Sequence, residues 1–349
     1  MDLERGSTSR RHAYTAVPSQ RVAQLSILST LFPHLPAPRS GPFRAAGIGA
    51  TVLVALLAAL HLFAPATAAA VLALPVLYLM YLYEVEIYEN EPWIVIGGTM
   101  VVGAVLGVLF TNLTGGTLSG LVLTGDRQTA FVLSGFALPI VAQALMLAGP
   151  TFLYLGRGQF REPLDGLTFG AASALGFTLA SSLTALWPIL AGPLISAGSP
   201  VDWALRLARI GLLLSVINAC TTGLVAASVW LQRYDRRRAP DRPSSTSVLT
   251  AVVVAFGVQV SLGIIGILVG NLDVEVAILA VAAAALLVYL RFFIHQALLV
   301  EGAEHEIGPD APCSECHHLV PTMAFCPSCG AARAAGPKQS RVRIGAKSA

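Results

Sequence analysis

The sequence predicts an all-α polytopic membrane protein of about eight transmembrane helices, with a small cysteine-bearing domain at its C-terminus. Three observations predict this fold class. First, 55% of the 349 residues are hydrophobic and only 12% are charged, whereas soluble domains carry about 25% charged residues. Second, the apolar residues form runs of about twenty, the length of a helix that crosses a bilayer. Third, four of the five cysteines lie close together near the C-terminus, outside these runs.

Eight apolar runs follow a polar, arginine-rich arm at residues 1–44. Each run reaches or nearly reaches spanning length, and a spanning segment must be helical because lipid offers its backbone no hydrogen-bond partners. The predicted spans are 45–63, 66–83, 93–113, 129–155, 166–191, 203–231, 248–270 and 274–293.

The basic residues predict that both termini are cytosolic. In this orientation the arm, the C-terminal tail and the loops after the fourth and sixth spans hold most arginines inside, as the positive-inside rule requires. Only Arg127, Arg206 and Arg209 fall on the outer half. The abundance of arginine, alanine and glycine is typical of a high-GC bacterium, so the expected location is a bacterial plasma membrane, crossed several times.

Small residues spaced four apart predict close helix contacts, because they let two backbones approach. Three such pairs are Gly103 with Gly107, Gly170 with Ala174, and Gly266 with Gly270. The alternative is that glycine and alanine are simply common in this chain.

Three polar features near the ends of spans are better interpreted as structural than as catalytic. His61 stands alone and is expected to be a satisfied or boundary histidine, whereas Asp165 is expected to cap the fifth span, where the helix dipole favours an acid. Four closely spaced acids follow the second span, and a solvated interfacial loop is a better interpretation than a metal site. These acids are Glu84, Glu86, Glu89 and Glu91.

Two Cys-x-x-Cys pairs form the most specific local signal, Cys313 with Cys316 and Cys326 with Cys329. Each pair presents two thiolates to one metal ion, and together they complete a tetrahedral Zn²⁺ site without an open position. Residues 325–330 resemble the knuckle of the zinc-ribbon family, so the zinc ion is expected to be structural. Two disulfides or a redox pair are the alternatives, and a cytosolic location argues against disulfides.

The predicted organisation therefore has five parts along the chain. They are a cytosolic arm at 1–44, a membrane domain at 45–294, a linker at 295–310, a zinc ribbon at 311–333 and a basic tail at 334–349.

Three blocks between about residues 75 and 305 resemble the PrsW family of intramembrane proteases, related to the CAAX-protease superfamily. The first block is an acidic segment, 81–92, ending in Glu-Pro. The second is Glu-Pro-Leu-Asp-Gly at 162–166, followed by Phe-Gly-Ala-Ala at 169–172 and Leu-Gly-Phe at 175–177. The third comprises Arg209 and Thr-Gly-Leu at 222–224. The resemblance covers most of the membrane domain and implies its helical fold.

The chain departs from the family at the residues that the resemblance would make catalytic. The family's Glu-Glu-x-x-Lys motif falls on 139–146, which holds no Glu or Lys and has Gln143 as its polar residue. Ser181 and Ser182 lie where the family has Glu-Asn, and Asn218 lies where it has His. The later family His is also missing, because the seventh span has only Gln259 as a strongly polar residue.

The chemistry of these side chains argues against peptide hydrolysis, independently of the family resemblance. Hydrolysis needs a base to activate water and donors to hold the oxyanion, and amides and hydroxyls are not bases near neutral pH. A metal route needs His or carboxylate ligands. The sequence therefore favours a protein that is not an enzyme.

Gln143, Ser181, Asn218 and Gln259 each fall near the middle of a predicted span. Polar groups at that depth usually face the interior of a bundle. Two interpretations stay open: a remnant of the family's active-site cleft, now neutral and polar, or interhelical hydrogen bonds that hold the bundle together.

The sequence favours a non-catalytic PrsW-like protein that binds a transmembrane segment or membrane complex through the remnant cleft. The zinc ribbon would dock a cytosolic protein partner, and nucleic acid is not an expected partner. An active intramembrane protease with displaced catalytic residues and a small-solute transporter are the alternatives. The transporter lacks an internal repeat and a charged pair at mid-membrane.

Overall fold

The computed structural model describes residues 40–85, 93–124, 127–156, 160, 163–192, 199–238, 248–302, 308–313 and 318–322. Within this part of the chain, eight helices are long and apolar enough to cross a membrane, which confirms the predicted polytopic helical class. The arm at 1–39, the acids Glu86, Glu89 and Glu91, and the tail at 334–349 lie outside the described residues.

The eight helices, called spans 1 to 8, follow one another along the chain. Span 1 is Ser40–Ala59, span 2 Phe63–Val85, span 3 Trp93–Thr124, span 5 Pro163–Ala185, span 7 Val248–Leu268 and span 8 Leu272–Gly302. Span 4 comprises Arg127–Val132, a π-helical segment Leu133–Ala137 and Leu138–Gly156. Span 6 comprises Pro200–Leu207, a π-helical segment Ala208–Leu213 and Leu214–Arg238.

Span 1 ends four residues earlier than predicted, at a helix-ending turn around His61. The Leu62 N–H donates to the Leu57 carbonyl at 2.9 Å and the His61 N–H donates to the Ala58 carbonyl at 3.0 Å. This pair of bonds is a Schellman motif, which requires a left-handed residue, and His61 has a φ of 58°. His61 is therefore a boundary residue, as predicted.

Span 5 also ends earlier than predicted, at Ala185, and a separate short helix follows at Trp187–Leu190. Pro188 lies in the first turn of this short helix and has no N–H to continue the ladder of span 5. At the other end, Asp165 is the third residue of span 5 and lies in its first turn, where a carboxylate is favoured by the helix dipole.

Spans 3, 5 and 6 pack with their backbones almost in contact. A Cβ on Gly103 would collide with the carbonyl of Ser173, and one on Gly176 would collide with the carbonyl of Met100. A Cβ on Gly170 would lie 2.7 Å from the Cα of Gly223. Glycine therefore sets the distance of span 5 from both neighbours.

Some of the predicted small-residue contacts form, and one predicted pair does not. Gly103, Gly107 and Gly170 meet a neighbouring backbone as predicted. The prediction for Gly266 and Gly270 is wrong, since a Cβ on Gly270 would meet nothing within 4 Å. Span 7 instead approaches span 4 through Gly263, whose Cβ would lie 2.9 Å from the Gly135 carbonyl in the π-helical segment of span 4.

The described chain divides into two compact units. One comprises Ala46–Tyr78 and Asn90–Leu286, and holds spans 3 to 7 with most of spans 1, 2 and 8. The other includes the remaining parts of spans 1, 2 and 8 and a two-stranded sheet. In that sheet β1, Gly308–Pro312, pairs antiparallel with β2, Leu319–Thr322. The helix of span 8 continues to Gly302, so residues 295–302 of the predicted linker are helical.

Candidate functional site

Three amide side chains meet near the middle of the membrane-crossing helices. Gln143, Asn218 and Gln259 lie close to the midpoints of the membrane-crossing segments Gln128–Gly156, Pro200–Arg233 and Val248–Leu268. Hydroxyl groups of Thr178, Thr221 and Thr222 join them. These six residues from spans 4, 5, 6 and 7 are called the amide cluster.

Gln143 is the centre of the amide cluster and is fully buried, with 0% exposure. Its Nε2 donates to Thr222 Oγ1 at 3.2 Å. Its Oε1 lies 3.1 Å from the Thr221 hydroxyl and 3.1 Å from Nε2 of Gln259, and it accepts from these donors. Both ends of the buried amide are therefore satisfied by neighbouring spans, as a polar group inside a membrane protein requires.

Gln259 ties span 7 to the rest of the amide cluster. Its Nε2 donates to Asn218 Oδ1 at 2.7 Å, in addition to Gln143 Oε1. Asn218 in turn donates from Nδ2 to Thr178 Oγ1 of span 5 at 2.9 Å. A continuous chain of hydrogen bonds thus runs from span 4 through spans 7 and 6 to span 5.

Ser181 lies beside the amide cluster rather than at its centre. Its hydroxyl donates to the Thr178 carbonyl of its own helix at 3.2 Å. Because span 5 ends at Ala185, Ser181 is only four residues from the helix end, and the prediction that it lies near mid-span is wrong. The burial of span 5 also falls here, from fully buried at Thr178 to half-buried from Leu179 onward.

The surroundings of Gln143 on span 4 are closely packed. Ser173 Oγ donates to the Met146 carbonyl at 2.7 Å, and the Thr222 hydroxyl lies 3.9 Å from the Met146 sulfur. A Cβ on Gly149 would lie 3.2 Å from Ser173 Oγ. The hydrogen bonds of the amide cluster therefore form where the helices are already held together by small residues.

The three threonines of the amide cluster were not among the predicted site residues. Thr221 and Thr222 lie three and four residues after Asn218, and Thr178 lies three residues before Ser181. Residues at these spacings share a face of a helix. The helical period was therefore the signal that could have added them.

The chemistry of the amide cluster is that of neutral donors and acceptors. Among the described residues, no three His, Cys, Asp or Glu side chains are close enough together to hold a metal ion. Amides and threonine hydroxyls are not the ligands of a catalytic zinc ion, which takes His, Cys or carboxylate groups. The donor set at this depth does not fit a hydrolytic metal site.

An ion pair joins span 6 to span 8 away from the amide cluster. Arg209 Nη2 lies 2.8 Å from Glu275 Oε1, with side-chain exposures of 35% and 12%. Arg209 lies in the π-helical segment of span 6 and Glu275 in the first turn of span 8. Arg209 belongs to the third block of the family resemblance, whereas the sequence did not predict Glu275 as its partner.

Of the four predicted zinc ligands, only Cys313 lies among the described residues. It follows β1 directly and is buried. Its N–H donates to the His318 carbonyl at 2.9 Å, which extends the pairing of β1 with β2 by one residue. Cys316, Cys326 and Cys329 lie outside the described residues.

The eight helices and the buried polar contacts between them define a multi-pass α-helical membrane protein. The chain belongs to the PrsW family, because the model of the PrsW family intramembrane metalloproteases matches residues 91–290, more than half of its length. This match confirms the family predicted from the sequence blocks, and it contains every residue of the amide cluster. No curated protein and no solved structure matches the chain.

Proposed function

We propose that this PrsW-family protein is not a protease and that it binds a transmembrane segment of a partner protein in the membrane. One observation carries this proposal. At the depth where the family resemblance implies acids and histidines, Gln143, Asn218 and Gln259 bond one another through neutral amides. Neutral amides can hold helices and can recognise polar groups, but they cannot activate water near neutral pH.

A partner segment would lie against the part of span 5 that follows Thr178. Fully buried residues end at Thr178, whereas Ser181 and Thr184 are half-buried and carry hydroxyl groups. A partner helix placed there would pack against these side chains and gain a hydrogen-bond partner, contacts that stabilise the association of membrane helices. Ser181 therefore retains its proposed role at the binding surface.

The C-terminal segment would be a cytosolic zinc ribbon that docks a soluble protein. The buried Cys313 directly after β1 supports a thiolate ligand, because its backbone is already held by the His318 carbonyl. Cys316, Cys326 and Cys329 would complete the four ligands of a structural Zn²⁺ ion. Such a small domain depends on its metal ion to fold.

The proposed location is a bacterial plasma membrane with both termini in the cytosol. The arginines of the arm and of the loop after span 6 support this orientation through the positive-inside rule. The eight spans found among the described residues are an even number, which supports placing both ends on the same side.

A cleavage assay tests the absence of protease activity. The purified full-length protein is incubated with transmembrane peptides, with and without added zinc, and the products are measured by mass spectrometry. We expect no cleavage. Cleavage that is lost on a single substitution in the membrane domain would instead establish an active protease with displaced residues, the first alternative.

Photo-crosslinking tests the binding surface. A photoreactive residue replaces Ser181, and the matched control replaces Ile94, which is 87% exposed on span 3. We expect a discrete crosslinked membrane protein from position 181 and only lipid adducts from position 94. Equal crosslinking from both positions would contradict a specific surface at span 5.

Affinity purification from membranes tests the docking role of the zinc ribbon. Wild type is compared with Cys313→Ser, and Cys220→Ala is the control because Cys220 is a buried cysteine of span 6. We expect a specific cytosolic partner to disappear with Cys313→Ser alone. An identical set of partners would remove the docking role. Solute flux in liposomes would establish the remaining alternative, a small-solute transporter.

A further inference from the structure

Arg291 of span 8 is a charged side chain whose environment the proposed function does not explain. Its Nε and Nη1 atoms are buried and have no hydrogen-bond partner among the described residues. A guanidinium group carries five N–H donors and keeps its charge, so buried donors without acceptors are costly inside a membrane. An anion that accepts from this group would remove that cost.

The position of Arg291 along its helix places it at one edge of the bilayer. At about 1.5 Å per residue, Arg291 lies about 28 Å from Leu272, where span 8 begins. This distance is close to the roughly 30 Å of a hydrocarbon core, so a bilayer that begins at Leu272 would place the guanidinium near its opposite edge. With cytosolic termini, this edge is the inner leaflet, which is rich in anionic lipids.

One aromatic residue lies near Arg291 at the same edge. Tyr81, near the end of span 2, is close enough to interact electrostatically with the guanidinium. The ring of Phe43, near the start of span 1, contacts the Tyr81 ring edge-to-face at 6.4 Å. Phe293 beside it in span 8 is buried as well. Arg291 itself is half-buried, so its side chain is not fully extended into solvent.

We propose that Arg291 binds the phosphate of an anionic phospholipid headgroup at the inner edge of the membrane. Arg291 as a whole is half-buried, so part of the side chain stays open to an approaching anion. A small rotation of the long side chain then offers a second N–H to the phosphate, a geometry that guanidinium groups favour. The ligand is a negatively charged phosphodiester, with phosphatidylglycerol as its simplest probe.

Arg233 provides a matched control because its guanidinium is already occupied. Its Nη1 donates to the Tyr154 carbonyl at 3.0 Å, and its charge lies 4.7 Å from the centre of the Tyr154 ring. Both arginines are near the end of a span. Arg291→Gln and Arg233→Gln each remove one positive charge. Only Arg291→Gln also removes buried N–H donors that lack a partner among the described residues.

The test measures lipid binding to the full-length protein in detergent by native mass spectrometry. Apparent affinities for phosphatidylglycerol and phosphatidylcholine are compared in wild type, Arg291→Gln and Arg233→Gln. We expect wild type and Arg233→Gln to prefer phosphatidylglycerol and Arg291→Gln to lose about tenfold in its affinity, the size of one charge-assisted contact. An unchanged preference in Arg291→Gln would overturn the proposal.

Two further measurements separate lipid binding from free-anion binding and from a folding defect. Displacement of phosphatidylglycerol by an equal concentration of inorganic phosphate would assign the group to a free anion and overturn the lipid headgroup. If Arg291→Gln does not fold, Arg291→Lys keeps the charge and is expected to retain the preference at reduced affinity. Equal binding of both lipids by a folded Arg291→Lys would show that this charge does not select the lipid.

Discussion

At the scale of single residues, the fully buried side chain of Gln143 makes three hydrogen bonds of the amide cluster. Gln143→Leu keeps the volume and removes the contacts to Thr222, Thr221 and Gln259. Hydrogen bonds between membrane helices contribute about 0.6 kcal/mol each, so we expect a loss of about 1–2 kcal/mol in the free energy of unfolding. Reversible unfolding in mixed micelles measures this value.

The control for this prediction is Gln128→Leu, since Gln128 is exposed on the same span. Its change should stay within about 0.5 kcal/mol, as for most surface substitutions. A double-mutant cycle between Gln143 and Gln259 should give a coupling of about 0.6 kcal/mol. Additive effects of the two substitutions would contradict the direct contact between them.

The ion pair between Arg209 and Glu275 is a second residue-scale feature that can be tested. Glu275→Gln leaves the partly buried Arg209 without its counter-charge, and we expect destabilisation of about 1–2 kcal/mol. Replacing both residues by Met removes the unpaired charge and should restore most of the stability. A double variant less stable than Glu275→Gln would contradict this role of the counter-charge. Thermal unfolding of the three variants in one detergent provides the comparison.

At the scale of elements, the approach of span 5 to span 3 depends on glycine. A Cβ in Gly176→Ala would collide with the Met100 carbonyl, and a backbone atom cannot move aside as a flexible side chain can. The two helices must separate, and we expect a loss of about 3 kcal/mol, the upper part of the usual range for overpacked cores. Unfolding by denaturant measures the difference from wild type.

The matched control is Gly98→Ala on span 3, where a Cβ would meet nothing within 4 Å. Alanine favours helix over glycine by up to about 1 kcal/mol, so this variant should be as stable as wild type or more stable. The opposite signs of the two glycine-to-alanine changes separate interhelical contact from helix propensity. Stabilisation by both changes would show that helix propensity alone decides.

The glycine contacts and the amide cluster depend on one another at this scale. Close backbones at Gly170 and Gly223 bring span 6 against span 5, where Asn218 reaches Thr178 at 2.9 Å. Span 7 has a similar arrangement, because Gly263 approaches the π-helical segment of span 4 on the helix that also carries Gln259. Short polar side chains can meet only where the helix axes are this close.

At the scale of the whole molecule, the proposed zinc ion should affect the C-terminal segment and not the spans. We expect about one zinc ion per purified chain by elemental analysis, lost in Cys313→Ser and kept in Cys220→Ala. Treatment with a chelator should abolish folding of the ribbon, because a small metal domain depends on its ion. The thermal unfolding of the membrane helices should stay unchanged. Equal zinc content in wild type and Cys313→Ser would contradict the assignment of this ligand.

The sequence by itself determined the eight spans, their approximate ends and the family. Crossing a bilayer is a property of each segment alone, because length and apolar composition decide whether about twenty residues can leave water. Family membership likewise rests on residues near one another along the chain, and the family match over 91–290 confirms it. Spans 1 and 5 end earlier than the apolar runs predicted. The left-handed backbone of His61 ends span 1, and the proline at 188 prevents span 5 from continuing.

Only the tertiary structure decided which polar residues meet. The sequence predicted similar depths for Gln143, Asn218 and Gln259, but the positions of apolar runs do not specify how each helix is rotated about its axis. That rotation is fixed where Gly103, Gly176 and Gly263 let backbones touch, and it places Thr178 rather than Ser181 against Asn218. It also pairs Arg209 with Glu275, which lie in different spans. A hydrogen bond between helices depends on angstrom-scale separation and orientation, and hydropathy along one chain specifies neither.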